Sequence, residues 1–223
     1  MNTLKKRHTE LKNIHQRQDI WVVGAGPSLN HVNPEFFDNK ITIGINRVCQ
    51  WVPCDYIVTK DDQGFKEIFS SRKQSKVILS KWESGDPDTK ENEADFECYY
   101  FDHPDKPGQR PVLDVIGTDQ IVVSYSTITS AIHLAAYMGA SAVMLCGHDC
   151  GVIDNYAAVK GYYAGEVKPV QKTIEDYAKW VSNDIEQHTI DVKNRIKQVY
   201  NIDTHSLNPF INLNLENHKY NRC

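Results

Sequence analysis

The chain has 223 residues, with 25 Lys and Arg against 29 Asp and Glu, a formal net charge of −4, and 40% hydrophobic and 10% aromatic residues. This is the makeup of a folded globular protein large enough for one substantial core. The charge balance excludes a general attraction to nucleic acid or anionic membranes. No apolar run approaches the roughly 20 residues that span a bilayer, and the polar start MNTLKKRHTELKNIHQRQ lacks the apolar stretch of a secretory signal, so a cytoplasmic location is expected.

Residues 1–18 hold five Lys or Arg, with Leu4, Leu11 and Ile14 at loosely helical spacing, and predict a peripheral surface helix. The remainder, 19–223, reads as a single domain. It opens with DIWVVGAGPSL, an apolar strand that runs into a Gly24-x-Gly26-Pro27-Ser28 turn and an expected helix. Glycines here permit close approach of a ligand, Pro27 suits a first helical position, Ser28 adds a hydroxyl, and the combination predicts a phosphate cradle. The third position of a dinucleotide fingerprint is Leu29 rather than glycine. Asn46 stands where a ribose-binding carboxylate would be, which argues against NAD and FAD. A Walker motif is absent from the sequence.

Short runs rich in β-branched and aromatic residues follow at 41–45, 55–59, 76–80 and 97–101, with an amphipathic helix at 64–72. Strands alternating with helices imply a mainly parallel sheet. Asp61 and Asp62 fall just past the 55–59 strand and suit a hard cation such as Mg²⁺, or a solvated helix start. The proline-containing stretch 82–111 reads as loop.

The next block, SYSTITSAIHLAAYMGASAVMLCGHDCG from Ser124, predicts a hydroxyl-rich turn, a helix ended by Gly139, and a buried strand over 142–146. Ser126, Thr127, Thr129 and Ser130 lie near the helix start, placed either to hold an anion or to cap the helix. The strand delivers His148 and Asp149 to its carboxyl end, where open α/β sheets bind ligands. A tyrosine-rich segment, with Tyr156, Tyr162 and Tyr163, suits a cover over such a site. Nine apolar or semi-apolar positions from 170 to 199 advance 29 residues in eight steps, about 3.6 per step, and predict a long helix. Its length is one that a kink or packing on a second copy in a homodimer would accommodate. A last strand is expected at 202–207.

The pieces GAGPSL, GINRV, CDYIVTKDD, STITSAIHLAAYMGA, VMLCGHDCG and HSLNPFINL together resemble the MptE-like family. That family includes archaeal 6-hydroxymethylpterin diphosphokinases and the motility accessory factor (Maf) flagellin glycosyltransferases. The motif order is also similar to that of bacterial CMP-sialic-acid-dependent sialyltransferases. The resemblance covers roughly residues 19–215. It implies a Rossmann-like, mainly parallel α/β sheet flanked by helices, with a long C-terminal helix, that binds a nucleotide and transfers a sugar or a diphosphate.

By that resemblance Gly24, Gly26, Ser28 and Asn46 would contact the nucleotide, with Thr129 and Ser130 nearby. Tyr156 and Tyr162 or Tyr163 would attend the donor phosphate, and His205 would be a base. Sugar transfer to a glycan needs a base for the acceptor hydroxyl, for which His148 and His205 are the candidates. Diphosphate transfer from ATP to a small alcohol needs Mg²⁺ held by Asp61 and Asp62 with Asp149. A nucleotide-binding module without turnover is the third alternative.

Overall fold

The computed structural model describes residues 5–60, 65–71, 74–80, 98–102, 110–163, 173, 176 and 179–206. Its strands are β1 (Lys5–Arg7), β2 (Ile20–Val23), β3 (Ile41–Ile45), β4 (Tyr56–Thr59), β5 (Lys76–Ser80), β6 (Cys98–Phe101), β7 (Ala142–Cys146) and β8 (Asp203–Ser206). The helices are α1 (Phe65–Ser71), α2 (Thr127–Tyr137) and α3 (Gln187–Tyr200). All strands pair in parallel in the order β1-β6-β5-β4-β3-β2-β7-β8.

From β2 the chain steps outward through β3, β4, β5 and β6, then jumps back across β2 to place β7 and β8 on its other side. The topological switch therefore lies between β2 and β7, and the crevice above their carboxyl ends is where such sheets bind ligands.

Strand alternation divides the core. Ile20, Val22 and Ile43 join the cluster under α2, whereas Val23 points to the opposite face with Leu29, Phe37, Val48 and Tyr162. Every residue of α2 is buried, because the helix lies across β2, β3, β4 and β7 and is covered by α3. Its small and apolar side chains allow such enclosure, and the polar Thr129, Ser130 and His133 are accommodated because each has a hydrogen-bond partner. Its termination is also local: Gly139 takes φ +88, a conformation that favours glycine, just past the helix end.

Predicted strands and helices fall within a residue of their observed ends, but three expectations change. The expected N-terminal surface helix is instead an edge strand, β1, and a 3-10 turn, His8–Leu11. His8 and Leu11 are fully buried there, because the parallel sheet offers β6 as an edge for β1 to pair with. The helix expected after the glycine turn is a five-residue 3-10 turn, Pro27–His31. Finally, the long helix enters the described region through a π-helical stretch, Val181–Glu186, that runs into α3. Positions 170–172, 174, 175, 177 and 178 of the predicted helix lie outside the described residues.

Candidate functional site

A cavity of about 180 Å³ opens at the switch point. The end of β2 contributes Gly24 to Pro27, β3 contributes Asn46, β4 contributes Lys60, and β7 contributes Gly147 to Gly151. The start of α2 adds Tyr125, Ser126 and Thr127, and the tyrosine-rich segment adds Tyr162 and Tyr163. Its volume lies below the ~300–1,000 Å³ of typical ligand pockets.

The glycine turn explains itself by packing before any ligand arrives. A Cβ on Gly24 would collide with the Gly147 carbonyl. One on Gly26 would lie 2.5 Å from Asp149 Oδ2 and 2.6 Å from the Gly147 oxygen. The turn and the end of β7 are pressed together, and only glycine allows it. The amides are also committed: Gly24 donates to the Cys146 carbonyl at 2.8 Å, Gly26 to that of Gly147 at 2.7 Å, Ser28 to Asp149 Oδ2 at 2.7 Å, and Leu29 to the Gly26 carbonyl at 3.2 Å. The expected phosphate cradle is thus occupied by the protein's own acceptors. Asp149 acts as the turn's internal anion, and Ser28 Oγ sits buried without a hydrogen-bond partner instead of facing the cavity.

Asn46 follows β3 with φ 49, a left-handed conformation that Asn tolerates better than most residues. Its side chain lines the cavity, and Oδ1 is buried without a hydrogen-bond partner. Beside it, Tyr162 is strapped down. Arg47 donates to the Tyr162 carbonyl at 2.7 Å and lies over its ring at 4.7 Å, while Trp51 and Tyr163 pack against the ring at 5.5 and 5.0 Å. The segment is stitched to the glycine turn by Val159 N to Ala25 O at 2.8 Å and Lys160 N to Asn30 Oδ1 at 2.9 Å. Burial raises both tyrosine pKa values, so their hydroxyls stay protonated at neutral pH and can donate to a ligand oxygen.

Ser126 and Thr127 line the cavity as expected, but Thr129 and Ser130 do not. Thr129 Oγ1 donates to the Ser126 carbonyl at 2.7 Å, and Ser130 Oγ to the Val122 carbonyl at 2.7 Å, both fully buried. His133 accepts from the Val122 amide at 3.1 Å. These α2 side chains satisfy the backbone of the stretch before the helix, which lies outside the sheet ladder.

His148 reaches the cavity with its Nε2 2.8 Å from Thr189 Oγ1. Thr189 Oγ1 also lies 2.9 Å from the Ile185 carbonyl, to which it can donate. Burial holds its pKa down to about 4, far from the neutral range that suits a general base. His205 is not brought to the cavity: it lies buried in β8 opposite Met144. Tyr156 is also outside the lining, closing a small bridge with Ile153 under Lys160. Asp61 and Asp62 lie outside the described residues. Among the described residues no cluster of three or more His, Cys, Asp or Glu is placed to hold a metal ion, and no helix is long and apolar enough to cross a membrane.

Sequence reasoning missed Lys60, Tyr125 and Trp180 as lining residues. Lys60 was legible by the rule that singled out Asn46 and Asp149, since it is the first residue past a strand. Tyr125, about half exposed, stacks at 12° on His188 with ring centroids 6.3 Å apart, a contact that joins distant segments.

No protein-family model matches the chain, and no curated protein matches its sequence. A Maf glycosyltransferase from Magnetospirillum magneticum AMB-1 shares the fold, with a TM-score of 0.51 at 13% identity over 89% of this chain and 35% of that one. The present chain thus spans about a third of that protein's length. The sialyltransferase CST-II, in complex with a trisaccharide acceptor and CMP, gives a TM-score of 0.47 at 14% identity over 92% and 93% of the two chains. The monofunctional alpha-2,3-sialyltransferase Cst-I from Campylobacter jejuni gives 0.47 at 12% identity over 92% and 83%. At these identities the likeness is one of fold, a parallel α/β sheet.

Proposed function

We propose that the chain is a glycosyltransferase that takes a nucleotide-activated sugar of the CMP-linked type. One observation carries this reading against phosphate transfer from ATP. Four amides of the glycine turn, those of Gly24, Gly26, Ser28 and Leu29, are already bonded to Cys146, Gly147, Asp149 and Gly26, while the cavity wall offers side-chain donors in Asn46, Ser126, Thr127, Tyr162 and Tyr163. Such a wall suits a ligand with one phosphate and many hydroxyls. The motif order shared with CMP-sialic-acid-dependent enzymes, and a fold shared with a Maf glycosyltransferase, point to the same class.

In this reading Asn46 supplies an acceptor to the nucleoside, and the protonated tyrosines stabilise the departing phosphate. A second reading, nucleotide binding without turnover, is favoured by one fact: the histidine in the cavity, His148, is a poor base at neutral pH.

The test is a thermal-shift panel of CMP, CDP, UDP, GDP, AMP and ATP with and without Mg²⁺, followed by transfer from a CMP-linked acidic sugar. A ligand of the folded state raises the melting temperature. CMP is expected to stabilise without metal, and Asn46→Gly, which keeps the backbone conformation while removing the amide, is expected to lose that shift. A response to ATP that needs Mg²⁺ would overturn the reading. Tight CMP binding with no product would leave the binding module.

A further inference from the structure

The tyrosines that line the cavity differ in what their rings already touch. Tyr162 is 7% exposed, with Arg47 over its ring and Trp51 and Tyr163 packed against it, and Tyr163 meets it edge-on. Tyr125 is 47% exposed. Among the described residues its one contact with another ring is the offset parallel stack on the buried His188, and its hydroxyl has no hydrogen-bond partner. The stack fixes the plane of the ring. The backbone before α2 is tied down as well: the Ser124 carbonyl accepts from Lys60 Nζ, and the Ser126 amide donates to Ser124 Oγ. A lone exposed aromatic on the outside of a protein is ordinary, but this one stands at a fixed tilt in the wall of a cavity. Lys60 follows β4 and Asn46 follows β3, its neighbour in the sheet, so Tyr125 and Asn46 share one end of the cavity, with Asp149 past β7 at the other.

We propose that the base of the nucleotide stacks on the exposed ring of Tyr125, which places the base at the β3–β4 end of the cavity beside Asn46. The assignment rests on the cavity being a nucleotide site and adds where in it the base lies. A planar base gains most from an aromatic ring whose surface is free, and the ring of Tyr162 is already enclosed. Every base has a π-face, so this contact supplies affinity without choosing among bases, and the choice falls to polar groups that meet the base at its edge. A ring held in place before the ligand arrives also loses little freedom on binding. Stacking uses the ring and not the hydroxyl, so phenylalanine or tryptophan at this position serves as well.

The experiment compares wild type with Tyr125→Phe, Tyr125→Trp and Tyr125→Leu, each checked for folding by circular dichroism. Calorimetry reads affinity for CMP, cytidine and ribose 5-phosphate, the last of which carries sugar and phosphate without a base. Leucine keeps apolar cover over His188 but has no π-face, so it separates stacking from packing. Loss of an aromatic platform predicts a roughly 5- to 150-fold loss of affinity for a base that stacks on it. The expected result is that loss for CMP and cytidine in Tyr125→Leu, with ribose 5-phosphate unchanged, and retention of all three in Tyr125→Phe and Tyr125→Trp. A second measurement needs no loss variant: the added indole of Tyr125→Trp is expected to be quenched by CMP beyond the quenching seen in wild type, and not by ribose 5-phosphate. If folded Tyr125→Leu binds CMP and cytidine as wild type does, or the added indole shows no extra quenching, the platform is overturned while the nucleotide reading stands. An equal loss for ribose 5-phosphate, or a loss in Tyr125→Phe equal to that in Tyr125→Leu, overturns it too, by assigning Tyr125 to the sugar-phosphate or the contact to its hydroxyl. Silence of wild type toward CMP and cytidine overturns both readings.

Discussion

Gly24 and Gly26 show how one residue type can be right for a reason other than the first one that comes to mind. The sequence places glycines between a strand and a turn, which suits ligand approach, but the neighbour that approaches is the backbone past β7. Gly26→Ala is therefore expected to destabilise the ligand-free protein by about 1–3 kcal/mol, the usual cost of overpacking, because the new methyl displaces Asp149. Urea denaturation without nucleotide measures this directly, and an unchanged midpoint would return the glycine to the ligand. Asn46 differs in kind, since its left-handed backbone and its inward amide are separate reasons for the same residue.

On the scale of elements, α2 carries hydroxyls of two sorts that its sequence alone does not separate. Ser126 and Thr127 face the cavity, while Thr129 and Ser130, two and three residues further along the helix, are turned inward and bonded to backbone. A helical step of 100° per residue does not make this division, since it brings Ser130 to within about 60° of both Ser126 and Thr127; what turns Ser130 inward is the Val122 carbonyl that accepts from it. Ser130→Ala leaves the Val122 carbonyl buried and unsatisfied and is expected to cost about 1–3 kcal/mol. Thermal melting checks that loss, and calorimetry with CMP on the folded variant is expected to show unchanged affinity. A loss of CMP binding at full stability would restore Ser130 to the site.

For the whole molecule, burial of neutral histidines links stability to pH. Desolvation holds His133 down to about 3 and His148 to about 4, against an ordinary 6.5. As pH falls below 6.5 the unfolded chain takes up protons at these positions that the folded chain refuses, so stability falls with pH across that window. For His148 the gap corresponds to about 3 kcal/mol, lost between pH 6.5 and 4. Unfolding free energies measured by urea at pH 7, 6, 5 and 4.5 are expected to decrease steadily, with a shallower slope in His148→Gln. A flat profile would show that these histidines titrate freely.

Strands β2 to β8, the helices α1 and α2, the end of α3 and the alternation that makes the sheet parallel were legible in the residue order, because side-chain periodicity and turn residues are local properties of the chain. The residue order also located the carboxyl ends of the strands, and so Asn46, His148 and Asp149, since those positions follow from where each apolar run stops. It took the folded arrangement to pair residues 5–7 with β6, to close the glycine turn with Asp149 from 121 positions away, to keep His205 outside the cavity and to bring Lys60 to its lining. These outcomes depend on strand order and on which backbone groups lack a partner, and both are set by contacts between segments distant in sequence.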